Sequence, residues 1–205
     1  MENSNYLGTE KVGTLLRKFA IPCICSLIIS CLYNIVDQIF IGRGVGYLGN
    51  GATNVVFPIT VITLALALFV GDGCAAYLSL CQGQGDTESA HRSVGSAVTV
   101  TVLCGVGLTL LFALFRELIL GAFGATEANV SYAREYFAFL LPGLPFFMFG
   151  NAMNSVIRAD GAPKFAMLST LVGCIINVIL DPVAIFVLGW GMMGAALATI
   201  LSQAV

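Results

Sequence analysis

Five stretches of more than twenty residues, 19–41, 55–80, 94–115, 136–157 and 165–188, carry at most one charged side chain each. A helix needs roughly 20 apolar residues to cross a bilayer core, and water offers no way to bury so much apolar surface in a short chain. A sixth stretch, 190–205, is equally apolar but stops short of a full crossing. The expected fold is therefore all-α and integral to the lipid bilayer, a six-helix transmembrane bundle whose last helix is incomplete. Composition agrees: 58% of the residues are hydrophobic and 10% charged, with a net charge of −2. That balance leaves no basic face for following a phosphate backbone, so no nucleic-acid partner is expected.

Residues 1–18 are polar and read as a cytoplasmic N-terminal segment, with the lobe occupying 19–205. With the N-terminus inside, Lys11, Arg17, Lys18, Arg92, Arg158 and Lys164 fall on the cytoplasmic side, and Arg43, Arg116 and Arg134 outside. Basic residues accumulate inside, so this orientation is favoured, in the plasma (inner) membrane. The links between spans are short and rich in Gly, Asp and Pro, as turns require. Seven cysteines lie mostly in apolar runs without metal-ligand spacing, and read as packing residues. Prolines 22, 58, 142, 145 and 182 stand inside apolar stretches, where each removes a helical N–H and can kink its helix.

Chemistry concentrates on three acids at membrane depth. An ionisable group there costs at least ~2.5–3.5 kcal/mol and normally faces an interior cavity. Asp37 and Asp181 each lie near the outer end of an outward-running helix, and Thr199 lies below the start of the inward-running sixth. At ~1.5 Å per residue, all three fall within about two helical turns of one level. Asn177, four residues before Asp181, and Asn34, three before Asp37, share a helix face with their acids. Two carboxylates, an amide and a hydroxyl make an all-oxygen set suited to a hard monovalent cation or a shared proton. Thr199 serves equally well as a packing residue. Asp72 reads as a structurally paired acid or one facing an inner vestibule, a second polar cavity together with Asn34. Pro182 frees the Val178 carbonyl as a further oxygen. There is no Ser/His/Asp arrangement, phosphate loop or zinc spacing, so no enzyme and no cofactor are expected.

Four motifs in register then resemble one family. Tyr33-Asn34-Ile35-Val36-Asp37-Gln38-Ile39-Phe40-Ile41-Gly42 resembles the helix-one signature of multidrug and toxic compound extrusion (MATE) transporters. Gly83-Gln84-Gly85-Asp86, followed by Ala90 and Arg92, is similar to their loop after helix two, and Arg158-Ala159-Asp160-Gly161-Ala162-Pro163-Lys164 to the loop after helix four. Asn177-Val178-Ile179-Leu180-Asp181-Pro182, with the Gly191 to Thr199 run, resembles the signature of helices five and six.

The resemblance implies one lobe of a twelve-helix protein, an antiporter that exports amphipathic, often cationic compounds in exchange for Na⁺ or H⁺. It implies that Asp37, Asn177, Asp181 and Thr199 form the cation or proton site, and that Pro22 is the point where helix one bends. Na⁺ at that site is the only metal it suggests. It also implies a C-terminal six-helix lobe as partner, absent from this sequence. Two alternatives stand beside this reading. One is a lipid-linked oligosaccharide flippase of related architecture, which is expected to carry cavity cations that these apolar stretches lack. The other is a transport-incompetent membrane fragment.

Overall fold

The computed structural model describes residues 10–204; residues 1–9 of the expected N-terminal segment, and Val205 at the end of the sixth stretch, lie outside the described residues. Among these the chain is helical throughout. It forms α1 (Val12–Gly44), α2 (Tyr47–Gln84), α3 (Thr87–Leu114), α4 (Arg116–Ala122), α5 (Val130–Leu140), α6 (Leu144–Ala159), α7 (Pro163–Pro182) and α8 (Gly191–Ala204). The helices α1, α2 and α3, the pair α5–α6, and α7 with the turn after it are each long and apolar enough to span a membrane, whereas α8 is shorter. The chain passes up and down through them, so Lys18, Gln82, Asp160 and Pro163 share one end of the bundle and Gly44, Tyr47, Leu114 and Val130 the other.

The helices outrun the apolar stretches. α1 begins at Val12, taking Arg17 and Lys18 from the expected cytoplasmic segment, and α2 begins eight residues before position 55. Polar residues do not stop a helix unless they compete for its backbone, and only Val45 and Gly46 separate α1 from α2. The short helix α4 was not anticipated; its Glu117 accepts from Arg134 on α5 at 2.6 Å, which holds its carboxyl below the usual range. At the opposite end Asp86 caps α3 by accepting from the Ser89 N–H at 3.0 Å. Gln82 donates to Asp160 there at 2.7 Å, joining the two motif-bearing loops.

Two clusters make the core. Ile41, Val56, Ile59, Phe137, Leu144 and Met192 pack together where α1, α2, α5, α6 and α8 meet, and Cys74, Leu78, Ala97 and Val156 lie between α2, α3 and α6. Phe69, Leu103, Leu110 and Leu114 point outward, as lipid-facing side chains do. Close approach depends on glycine: a Cβ at Gly71 would stand 2.7 Å from the Ala152 backbone of α6, and one at Gly105 2.9 Å from Pro145 Cα. Ala75 and Ser79, one and two turns further along the same face of α2, pack less closely, since Ala75 is half-buried and Ser79 exposed.

Pro145 shows how the bundle pays for its prolines. Its missing N–H would have bonded the Leu141 carbonyl, and a 3-10 turn at Leu141–Gly143 interrupts the fourth span at that point. The Leu141 oxygen accepts the Leu144 N–H that closes this turn, and the Thr109 hydroxyl of α3, bonded to Gly105 O at 2.9 Å, lies 3.3 Å from it as a second donor. Past Pro182 the chain likewise leaves α-geometry for a π turn, Val183–Val187, whereas α1 continues unbroken through Pro22.

These contacts set two expectations for reversible unfolding in mixed micelles. Gly71→Ala should cost about 1–3 kcal/mol by overpacking, while Gly73→Ala, which meets nothing within 4 Å, should be neutral or stabilising by up to about 1 kcal/mol. Thr109→Val, which removes the hydroxyl while the Leu144 N–H still meets Leu141 O, should cost about 0.5–1.5 kcal/mol, with Thr109→Ser close to wild type.

Candidate functional site

The α1–α7 packing that dominates this side of the bundle brings the two acids together. Asp37 is 8% exposed and Asp181 fully buried, with Asn177 at 1% and Thr199 at 9%, so the chemistry at membrane depth is enclosed by protein. The carboxyls of Asp37 and Asp181 lie in direct side-chain contact. Asn177 donates from Nδ2 to Asp181 Oδ1 at 3.4 Å, the i to i+4 relation of one helix face. Asp37 Oδ2 accepts from Gln38 Nε2, also at 3.4 Å.

Three oxygens of this group have no donor: Asp37 Oδ1, Asn177 Oδ1 and Asp181 Oδ2. Facing carboxylates repel unless a cation or proton lies between them, and an orphan oxygen inside an apolar bundle costs free energy unless something meets it. The donor set is oxygen only, which suits Na⁺ or a proton and not a soft transition metal. No cluster of three His, Cys, Asp or Glu side chains occurs among the described residues.

Thr199 stands one step removed. Its hydroxyl donates to Ala195 O at 2.9 Å within α8, and the Tyr136 hydroxyl of α5 contacts its oxygen. Tyr136 and Tyr33 both lie within electrostatic reach of Asp37 and Asp181, and neither was singled out in the sequence. Tyr33 had a signal, since it precedes Asp37 by four residues; Tyr136 had none. Gln38 and Thr53 were also missed: Thr53 Oγ1 of α2 donates to Gln38 Oε1 at 3.1 Å and steadies the amide beside Asp37.

The expected second cavity of Asn34 and Asp72 is not assembled. Asn34 is exposed, donates to Ser30 O at 2.6 Å, and lines an open groove of about 700 Å³ with Gln38, Gly42, Arg43 and Asn50. Asp72 is exposed on α2 and takes no part in that groove. The i−3 spacing placed Asn34 beside Asp37 along the axis but around the helix toward the open face. Pro22 is buried toward the far end of α1 from the acids, and Pro182 follows Asp181 directly.

A family model described as MatE matches residues 22–183. Among curated proteins, the FAD transporter of Shewanella oneidensis is 26% identical over 98% of this chain and 45% of its own length. The multidrug export protein MepA of Staphylococcus haemolyticus is 26% identical over 98% and 44%. Among solved structures, the MATE multidrug transporter DinF-BH superposes with a TM-score of 0.92 at 36% identity, over 100% of this chain and 46% of that one. An outward-facing multidrug resistance MATE family transporter of the MOP superfamily gives 0.87 at 29%, over 99% and 45%. This chain thus spans a little under half the length of the relatives it matches, and its fold is one lobe of theirs. The chain belongs to the MatE family, the multidrug and toxic compound extrusion transporters.

Proposed function

We propose that this chain forms the N-terminal lobe of a cation-coupled antiporter that exports amphipathic, often cationic compounds across the plasma membrane, with Asp37, Asn177, Asp181 and Thr199 as its ion site. The observation that carries the reading is the buried contact of Asp37 with Asp181, with one oxygen of each and that of Asn177 lacking donors. Such a pair holds one positive charge well and two negative charges badly, so ion occupancy changes its energy and with it the packing of α1 on α7. Thr199 supports the site through Tyr136, and Pro22 and Pro182 give the two helices that carry the acids their points of bending. The N-terminus is cytoplasmic on the distribution of Lys and Arg. Alternation between two access states needs a second lobe for this one to move against, and a C-terminal six-helix partner fills that role.

Two measurements test the site. In proteoliposomes, a Na⁺ or pH gradient should drive efflux of a fluorescent cation, and Asp37→Asn or Asp181→Asn should lower it about ten-fold or more. Efflux unchanged by either substitution sinks the coupling role, and none from the unmodified chain supports a lobe that is transport-incompetent alone. Independently of flux, a bound ion stabilises the fold by mass action. If Na⁺ is the ion, raising it to 100 times Kd should add about 2.7 kcal/mol to unfolding stability. Asp37→Asn should abolish the gain.

A further inference from the structure

A polar seam runs from the acid pair down the α1–α7 interface to the far end of the bundle. On α1 it consists of Cys23, Ser26, Ser30, Tyr33 and Asp37, spaced three, four, three and four residues apart on one helix face. On α7 it is Thr170, Cys174, Asn177 and Asp181, spaced four, three and four. The two files meet in their upper half. Ser30 contacts the Cys174 thiol, Tyr33 lies within electrostatic reach of Cys174 and both acids, and Asp37 meets Asp181. Lower down, Asn154 of α6 donates to Thr170 Oγ1 at 3.4 Å and to Ala166 O at 3.1 Å. At the foot Arg158 reaches across from α6, its Nη1 3.9 Å from Cys23 Sγ and its Nε bonded to Asn154 O at 3.3 Å. Among the described residues its guanidinium has no carboxylate partner.

We propose that this seam is a hydrated path by which protons pass between the Asp37–Asp181 pair and the aqueous phase at the Arg158 end. The proposal rests on the ion-site reading above and adds the route and the ion. Ser and Thr also suit close helix packing, and Ser26 and Thr170 donate to the Pro22 and Ala166 carbonyls at 3.0 and 3.1 Å, but Tyr33, Asn177 and the two acids are not small packing residues. Here polar groups recur at every turn over the fourteen residues from Cys23 to Asp37, about 21 Å at 1.5 Å per residue. At its head are three buried oxygens with no donor in the protein, the polar partners an ordered water requires.

The chemistry of the seam selects the proton. Hydroxyls of Ser26, Ser30, Thr170 and Tyr33 both donate and accept, so with intervening water they can relay a proton while each returns to its starting form. Cys23 and Cys174 are soft sulfur groups, poor ligands for Na⁺. The titratable and charged groups facing the seam are Cys23, Tyr33 and Asp37 from α1, Cys174 and Asp181 from α7, and Arg158 from α6.

Radiolytic hydroxyl footprinting of the full chain in lipid nanodiscs tests this, because the radicals come from water at the site they mark. Peptide mapping should find Cys174 oxidised about ten-fold faster than Cys104, which faces outward from α3 at mid-span. Ser26→Leu, placed between the foot and Cys174, should lower oxidation of Cys174 and Tyr33 about five-fold or more and leave Cys104 unchanged. Cys174 oxidised no faster than Cys104 overturns the path, and so does labelling indifferent to Ser26→Leu, since water would then arrive by another route. Neither readout uses transport. A dry seam with gradient-driven efflux intact therefore removes the path and leaves the ion site standing.

Discussion

Hydrocarbon accepts and donates no hydrogen bonds, and that constraint accounts for most of what this chain does with its polar groups. Every backbone amide must be bonded within a helix, so the chain is helical through its apolar stretches. Wherever a proline breaks the pattern, something else has to answer. At Pro145 the answer is a 3-10 turn whose Leu144 N–H bonds Leu141 O, with the Thr109 hydroxyl of a neighbouring helix beside it, and after Pro182 it is a π turn that re-forms the ladder at wider spacing. The same rule applied to side chains makes Asp37 and Asp181 exceptional. Their orphan oxygens are held where only another protein group, a water or an ion can meet them.

Position within the bundle decides which polar residues matter. Asp72 stands in as apolar a stretch as Asp37, yet its side chain is exposed on α2 while Asp37 turns inward against α7. Asn34 and Asp37 differ by three residues and separate into an open groove and a buried pair. The acid pair in turn sits at the junction of α1, the least buried of the spans, with the better-packed α7. A change in charge at that junction would act on a helix with few other contacts to hold it.

The relatives extend over about twice the length of this chain. Asp37, Asn177, Asp181 and Thr199, the residues proposed for the ion, and Tyr33 and Tyr136 beside them all come from helices of this lobe.

From the sequence alone came the all-α membrane fold, the five long spans and the acids at depth, because apolar run length and the cost of a charge in lipid are local properties. The pairing of Asn177 with Asp181 was legible too, being four residues along one helix. Contacts between helices were not: Asp37 meets Asp181 across 144 residues, and depth counting brought them to one level without saying that they touch. Tyr136 beside Thr199, Thr53 on Gln38 and Gln82 on Asp160 left no trace in spacing, since each joins elements that periodicity describes separately. Depth along a helix is fixed by counting residues. Which way a side chain faces, and what it meets there, is settled only when the helices pack.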